Sequence, residues 1–85
     1  MNKRDKLLNR LLSKSKDFTY SELTSLLESY GYSESKRGKT GGSRRSFINK
    51  TTKHIIRLHK PHPKEVLKTY QINQIITELK SEGYT

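Results

Sequence analysis

The side chains best suited to chemistry are arginines and histidines in the middle of the chain. Arg44, Arg45, Arg57 and His59 lie on two segments with strand-like composition, and His62 follows in a turn of two prolines. A guanidinium group binds phosphate through paired hydrogen bonds, and a neutral imidazole removes a proton from a hydroxyl. These residue types are therefore suited to holding a phosphate backbone and to acid–base chemistry beside it.

The positive charge of the chain is confined to one central segment. The 85 residues have a formal net charge of +10, and residues 36–64 hold ten basic and no acidic side chains. Residues 1–35 and 65–85 are close to neutral. A localised positive field attracts polyanions, of which nucleic acid backbones are the commonest. A solvated, solubilising surface is the alternative, but the complete lack of acids favours nucleic acid binding.

Length and composition exclude several classes of protein. A chain of this size forms one small domain, expected here over residues 1–85, and is too short for a dinucleotide-binding fold. No apolar run approaches the length of a membrane span, so no membrane partner is expected. The absence of cysteine excludes disulfides and thiolate sites, and a reducing cytoplasm is the expected location.

Neither a metal nor a nucleotide cofactor is expected. His54, His59 and His62 have no cysteine or acidic residue near them to complete a metal shell. Gly38-Lys39-Thr40 resembles the end of a phosphate-binding loop, but the leading glycine is absent and a strand follows instead of a helix. A basic, glycine-rich loop is still suited to contacting a phosphate backbone.

The hydrophobic pattern predicts an α+β fold with the order α-α-β-β-β-α. A leucine stripe predicts a first helix from about Lys3 to Lys14, and Thr19 with Glu22 forms a capping box that starts a second helix, which Gly31 ends. An isoleucine stripe predicts a last helix that starts near Thr69 or Tyr70, after a docking turn at 66–67, and ends at Gly83. Three predicted strands, 32–36, 43–49 and 54–59, form an antiparallel sheet covered by helices on one face.

The alternation of side chains along the last two strands predicts which residues share a face. If Phe47 is in the core, Arg45 lies on the same side and Arg44 on the other. In the next strand Ile56 and Leu58 form the natural core pair, which turns Arg57 and His59 outward. Arg44, Arg57 and His59 are therefore expected on one exposed face, the candidate site.

The segment Gly42-Ser43-Arg44-Arg45-Ser46-Phe47, followed by Lys60-Pro61-His62-Pro63 and an isoleucine-rich helix, resembles the HicA toxins. These are small ribonucleases of type II toxin–antitoxin modules with a double-stranded-RNA-binding-like fold. The resemblance covers about residues 19–84. It implies a core over 18–85, with residues 1–17 as an N-terminal helical extension. It also implies RNA, specifically mRNA, as the substrate and a HicB-like antitoxin protein as a partner that covers the basic face.

One position departs from the family pattern. The family has a histidine after Gly-Ser, essential for RNA cleavage, where this chain has Arg44, and arginine stays protonated at neutral pH. Three outcomes follow: cleavage with His59 or His62 as base and Arg44 as transition-state cation, RNA binding without cleavage, or a differently organised chemistry. Both histidines also suit purely structural roles, and a non-catalytic RNA-binding module is the rival function. The expected phosphate contacts are Arg37, Lys39, Arg44, Arg45, Arg57 and Lys60.

Overall fold

The computed structural model describes residues 2–35, 44–61 and 64–85, with Arg44 described in its backbone alone. The elements follow in the order α1 (Lys3–Leu12), α2 (Tyr20–Ser29), β1 (Tyr32–Ser35), β2 (Arg44–Asn49), β3 (Ile55–His59) and α3 (Thr69–Ser81). This confirms the predicted α+β class, and α2 to α3 form the α-β-β-β-α order of a double-stranded-RNA-binding-like fold. Helix α1 ends before the predicted Lys14, because that residue adopts a φ of 55°.

Local rules explain both ends of α2. The Thr19 side chain accepts from the backbone N–H of Glu22, and Glu22 accepts in return from the backbone N–H of Thr19, which confirms the predicted capping box. Phe18 before the cap and Leu23 inside the helix are both fully buried. At the other end Gly31 has a φ of 95°, a conformation that glycine adopts without the steric cost of a Cβ atom.

The three strands form one antiparallel sheet in the order β1-β2-β3. Asn49, which is almost completely buried, organises the turn between β2 and β3. Its Oδ1 accepts from the backbone N–H groups of Thr51 and Thr52 at 2.8 and 3.0 Å, and its Nδ2 donates to the hydroxyl of Tyr84 at 2.9 Å. The register of the hairpin is therefore fixed by a side chain inside it as well as by the apolar pattern.

The predicted turn before α3 is present, and it docks on the start of α2. The backbone N–H of Leu67 donates to the carbonyl of Phe18 at 2.9 Å, and Val66 forms a bridge with Thr19. Leu67 is buried, and α3 then begins at Thr69. This turn brings the first residues of α3 next to the end of β3.

The core lies between the sheet and the three helices. Fully buried side chains come from every layer, including Leu11, Leu26, Phe47, Ile56 and Ile75. Helix α1 contributes to this core, since Leu11 has no exposed surface and the helix packs against both α2 and α3. At the surface, Arg10 of α1 pairs with Glu22 of α2. Helix α1 is therefore packed into the core of the described chain.

Candidate nucleic-acid interface

The face of the sheet that points away from the helices has Arg57 and His59 towards one end and the apolar side chains of Ile48 and Ile55 at the other. In the register of β2 with β3, Ser46 lies opposite Arg57 and Ile48 lies opposite Ile55, while position 44 lies opposite His59. Ile55, Arg57 and His59 are exposed, whereas the intervening Ile56 and Leu58 are buried. The predicted alternation along β3 is therefore confirmed. We call this surface the outer face; its described members are Ser33, Ser35, Ser46, Ile48, Ile55, Arg57 and His59.

Two glutamines of α3 hold the strand that carries Arg57 and His59. Nε2 of Gln71 donates to the carbonyl of His59 at 2.7 Å, and Nε2 of Gln74 donates to the carbonyl of Arg57 at 2.6 Å. Gln71 is only 3% exposed, and its Oε1 accepts from the backbone N–H of Lys68 at 3.0 Å. Both hydrogen-bonding ends of this buried amide are thus used. Each glutamine therefore hydrogen-bonds to a backbone carbonyl at the free edge of β3, and together they connect this strand to α3.

These glutamines were not predicted as functional from the sequence. A signal was present, because Gln71 and Gln74 are three residues apart and directly precede the core residues Ile72 and Ile75. A polar residue at the border of an apolar helix stripe is typical of a side chain that reaches a neighbouring backbone. The partner strand, however, is visible only in the folded chain.

Arg45 lies on the other side of the sheet from Arg57. It is half-buried, opposite Leu58, and its Nε is 3.5 Å from Oε2 of Glu34. The hydroxyl of Tyr20 donates to the same carboxylate. Burial, together with this hydrogen bond, raises the pKa of Tyr20 well above the usual tyrosine value. Arg45 is therefore one member of a polar cluster between the sheet and α2.

Lys60 also contacts a carboxylate and α2. Its Nζ is 2.9 Å from Oε1 of Glu65 and 5.5 Å from the centre of the Tyr20 ring. Of the predicted phosphate contacts, Arg57 thus lies on the outer face with His59, whereas Arg45 and Lys60 each pair with an acidic side chain. Both acidic partners lie outside the central basic segment of the sequence, so composition along the chain could not reveal the pairing.

The remaining predicted site residues are described only in part or not at all. Arg37, Lys39 and His62 lie outside the described residues. The backbone of Arg44 pairs with His59 at the end of the sheet where β2 begins and β3 ends. That end is also where the glycine-rich segment joins β2 and where Lys60 leaves β3.

His54 belongs to a different part of the molecule. Its Nδ1 is hydrogen-bonded to the Tyr32 hydroxyl at 2.7 Å, and its Nε2 is 3.5 Å from Oε1 of Glu78 in α3. Burial, followed by the nearby Tyr84 and Glu82, raises the pKa of Tyr32 to about 12. Within the described ranges, no three histidine or acidic side chains are grouped in a way that could hold a metal ion.

Comparison with known families identifies the chain. A family model described as the HicA toxin of bacterial toxin–antitoxin matches residues 20–81, which is more than two thirds of the chain. The chain belongs to the HicA toxin family. A search of curated proteins and a search of solved structures return no match.

The HicA match runs from the first residue of α2 to the last residue of α3 and leaves α1 outside it. It contains all three strands, both glutamines and every predicted site residue that the structure describes. Membership of this family gives the chain a toxin–antitoxin context. Among the described helices, none has the length and apolar character needed to cross a membrane.

Proposed function

We propose that this HicA-family protein binds RNA on the outer face of its sheet and cleaves the strand there. One observation carries the proposal: Arg57 and His59 are exposed side by side on that face, with position 44 opposite His59. A guanidinium that binds phosphate beside an imidazole that can accept a proton is a minimal arrangement for cutting RNA.

The distribution of paired and unpaired cations supports RNA binding at this face. Arg45 and Lys60 are offset locally by Glu34 and Glu65. Arg57 has no carboxylate within ion-pair distance in the described part of the chain, and it is exposed. Neutralisation of phosphate charge with release of bound counterions favours contacts by cations of this kind.

The proposed cleavage uses the 2′-hydroxyl of the RNA as nucleophile. His59 accepts the proton of that hydroxyl, O2′ attacks the adjacent phosphorus, and the bond from phosphorus to O5′ breaks. The 5′-oxygen takes a proton from water, which leaves a 2′,3′-cyclic phosphate. Arg44 stands at the position of the family histidine and, as a permanent cation, would stabilise the negative charge that develops on the phosphate. His62, three residues after His59 in the sequence, is the second candidate for proton transfer.

The partners and location follow from this activity. The protein acts on mRNA in the cytoplasm. The proposed step needs no metal or small-molecule cofactor, because the nucleophile is part of the substrate and protein side chains supply the base and the positive charge. A HicB-like antitoxin would inhibit it by covering the outer face with acidic or substrate-like groups. Such a cover fits the central segment, which supplies no acidic residue of its own.

Arg44 also favours a second candidate function, RNA binding without cleavage. An arginine cannot act as a general base at neutral pH, so this chain lacks the proton acceptor that the family pattern has at that position. In this case the toxin would act by occupying RNA, and the same outer face and the same antitoxin would be involved.

Incubation of the pure protein with a long RNA in the presence of EDTA tests both functions. Cleavage predicts fragments with cyclic phosphate ends, which His59→Ala or His62→Ala abolishes, and Arg44→Ala should weaken RNA binding and relieve growth arrest. His54→Ala is the matched histidine control, because His54 faces Tyr32 and α3; its folding is checked by circular dichroism.

Intact RNA with a salt-sensitive gel shift means that the protein binds RNA without cutting it. Unshifted, uncut RNA would contradict both functions.

A further inference from the structure

The most exposed large apolar side chain in the described part of the chain is Tyr70. Its exposed fraction is 62%, against 39% for Ile55 and 38% for Leu12. Its ring contributes nothing to the core, because it lies outside the stripe formed by Ile72 and Ile75. An isolated exposed tyrosine is ordinary on a protein surface, so its surroundings decide its significance.

The first turns of α3, which carry Tyr70, are bound to the free edge of β3. Its neighbour Gln71 donates to the carbonyl of His59, and Gln74, one helical turn further on, donates to the carbonyl of Arg57. Residues four apart lie on the same side of a helix, so Tyr70 and Gln74 share the side of α3 that borders β3. These two bonds hold the part of α3 that carries the Tyr70 ring next to the backbone of Arg57 and His59, the residues proposed to contact RNA.

The described residues of the outer face include no tyrosine or phenylalanine. They are three serines, two isoleucines, Arg57 and His59, and every tyrosine and phenylalanine of the sheet and of α2 lies among residues packed on the other side. Bases of a bound strand stack on aromatic rings in most proteins that hold single-stranded RNA. Tyr70, on the helix bound to the edge of β3, has an exposed phenol ring suited to that role.

We propose that Tyr70 stacks on an unpaired base of the RNA whose phosphates contact Arg57. The inference rests on the proposed function and deepens it, since it assigns single-stranded RNA as the form that this surface prefers. Bases of a duplex are stacked on each other and closed to a side chain, so a duplex would engage the phosphate contacts alone. Stacking of one base on a tyrosine corresponds to roughly a ten-fold change in affinity.

Binding of RNA that cannot be cut tests this proposal. A short 2′-O-methyl single strand, the same strand with abasic sites, and a matching duplex are titrated with the protein and its variants. We expect Tyr70→Ala to bind the single strand about ten-fold more weakly and the duplex unchanged, and Tyr70→Phe to bind as the original protein does. Abasic substitution should remove the difference between the original protein and Tyr70→Ala. Leu12→Ala is the control for loss of an exposed apolar side chain far from the sheet.

The failures of the two proposals are distinguishable. If Tyr70→Ala binds the single strand as tightly as the original protein while Arg57→Ala binds it more weakly, the stacking role is wrong and the RNA-binding face stands. An equal loss for single strand and duplex would also overturn stacking. If the original protein binds neither RNA, the proposed function and the inference fall together.

Discussion

The carboxylate of Glu34 lies 3.5 Å from Nε of Arg45 on the helix-covered side of the sheet. The Tyr20 hydroxyl donates to the same carboxylate, and all three side chains are at least half-buried. Arg45 is thereby part of the packing between the sheet and α2. Arg57, in the adjacent strand, points to the opposite side and is exposed. Two arginines of the same basic segment thus lie in different surroundings.

This difference predicts opposite effects for two matched substitutions. Arg45→Ala removes a partner from a partly buried carboxylate and should lower the free energy of unfolding by about 1–2 kcal/mol, with RNA affinity nearly unchanged. Arg57→Ala should leave stability within about 0.5 kcal/mol and reduce the slope of log affinity against log salt concentration by about 1. Urea unfolding and RNA binding at several salt concentrations measure both quantities. A folded Arg45→Ala protein with the larger loss of RNA affinity would contradict the assignment.

Gln71 should be more important for stability than its polar character suggests. Gln71→Leu leaves the carbonyl of His59 and the backbone N–H of Lys68 without their partner in a buried place, so the free energy of unfolding should fall by about 2 kcal/mol. Gln74→Leu is the matched control: its amide makes one hydrogen bond at a half-buried position, and the loss should stay below about 1 kcal/mol.

Urea unfolding measures these losses, and hydrogen exchange at the end of β3 locates them. Faster exchange at His59 and Lys60 is expected in Gln71→Leu, because the last residues of the strand lose their link to α3. Equal stability of the two glutamine variants would show that the buried amide has no special role.

The features predicted from sequence depend on residues close together in the chain. The Thr19–Glu22 capping box, the stop at Gly31 and the alternation of Ile56, Arg57 and Leu58 each follow from a local rule, and each is confirmed. These rules need only the spacing of residues along one helix or strand.

The features that were not predicted depend on the register between elements. Arg45 was expected on the side of Phe47, but its partner Glu34 belongs to another strand and becomes a neighbour only when β1 pairs with β2. The bond from Gln71 to His59 likewise requires the docking of α3 on the edge of β3. Periodicity identifies the buried side of a helix but contains no information about which backbone lies opposite it.

Helix α1 should contribute to stability although the family match begins after it. Leu11→Ala opens a cavity in the core and should cost about 2–4 kcal/mol. Leu12→Ala, one residue further on at a position that is 38% exposed, should cost less than about 0.5 kcal/mol. Thermal unfolding of both variants measures the difference. Equal melting temperatures would mean that α1 is not packed as described.

Tyr32 should make the fold sensitive to alkaline pH. Its pKa is raised from 10.0 to about 12, chiefly by burial and then by the nearby Tyr84 and Glu82. The folded protein therefore holds this proton more tightly than the unfolded chain does. The resulting stability is complete below pH 10, falls as pH rises from 10 to about 12, and is absent above that range.

Comparison with Tyr32→Phe isolates this contribution, because phenylalanine keeps the ring in the core but has no ionisable proton. The stability advantage of the original protein over Tyr32→Phe should shrink by about 2 kcal/mol across that range, whereas lysines and the other tyrosines ionise in both proteins. Just below pH 10 a difference remains, set by the hydrogen bond between the Tyr32 hydroxyl and Nδ1 of His54. Urea unfolding at a series of alkaline pH values measures the two curves, and parallel curves would mean that Tyr32 ionises equally easily in the folded and unfolded chains.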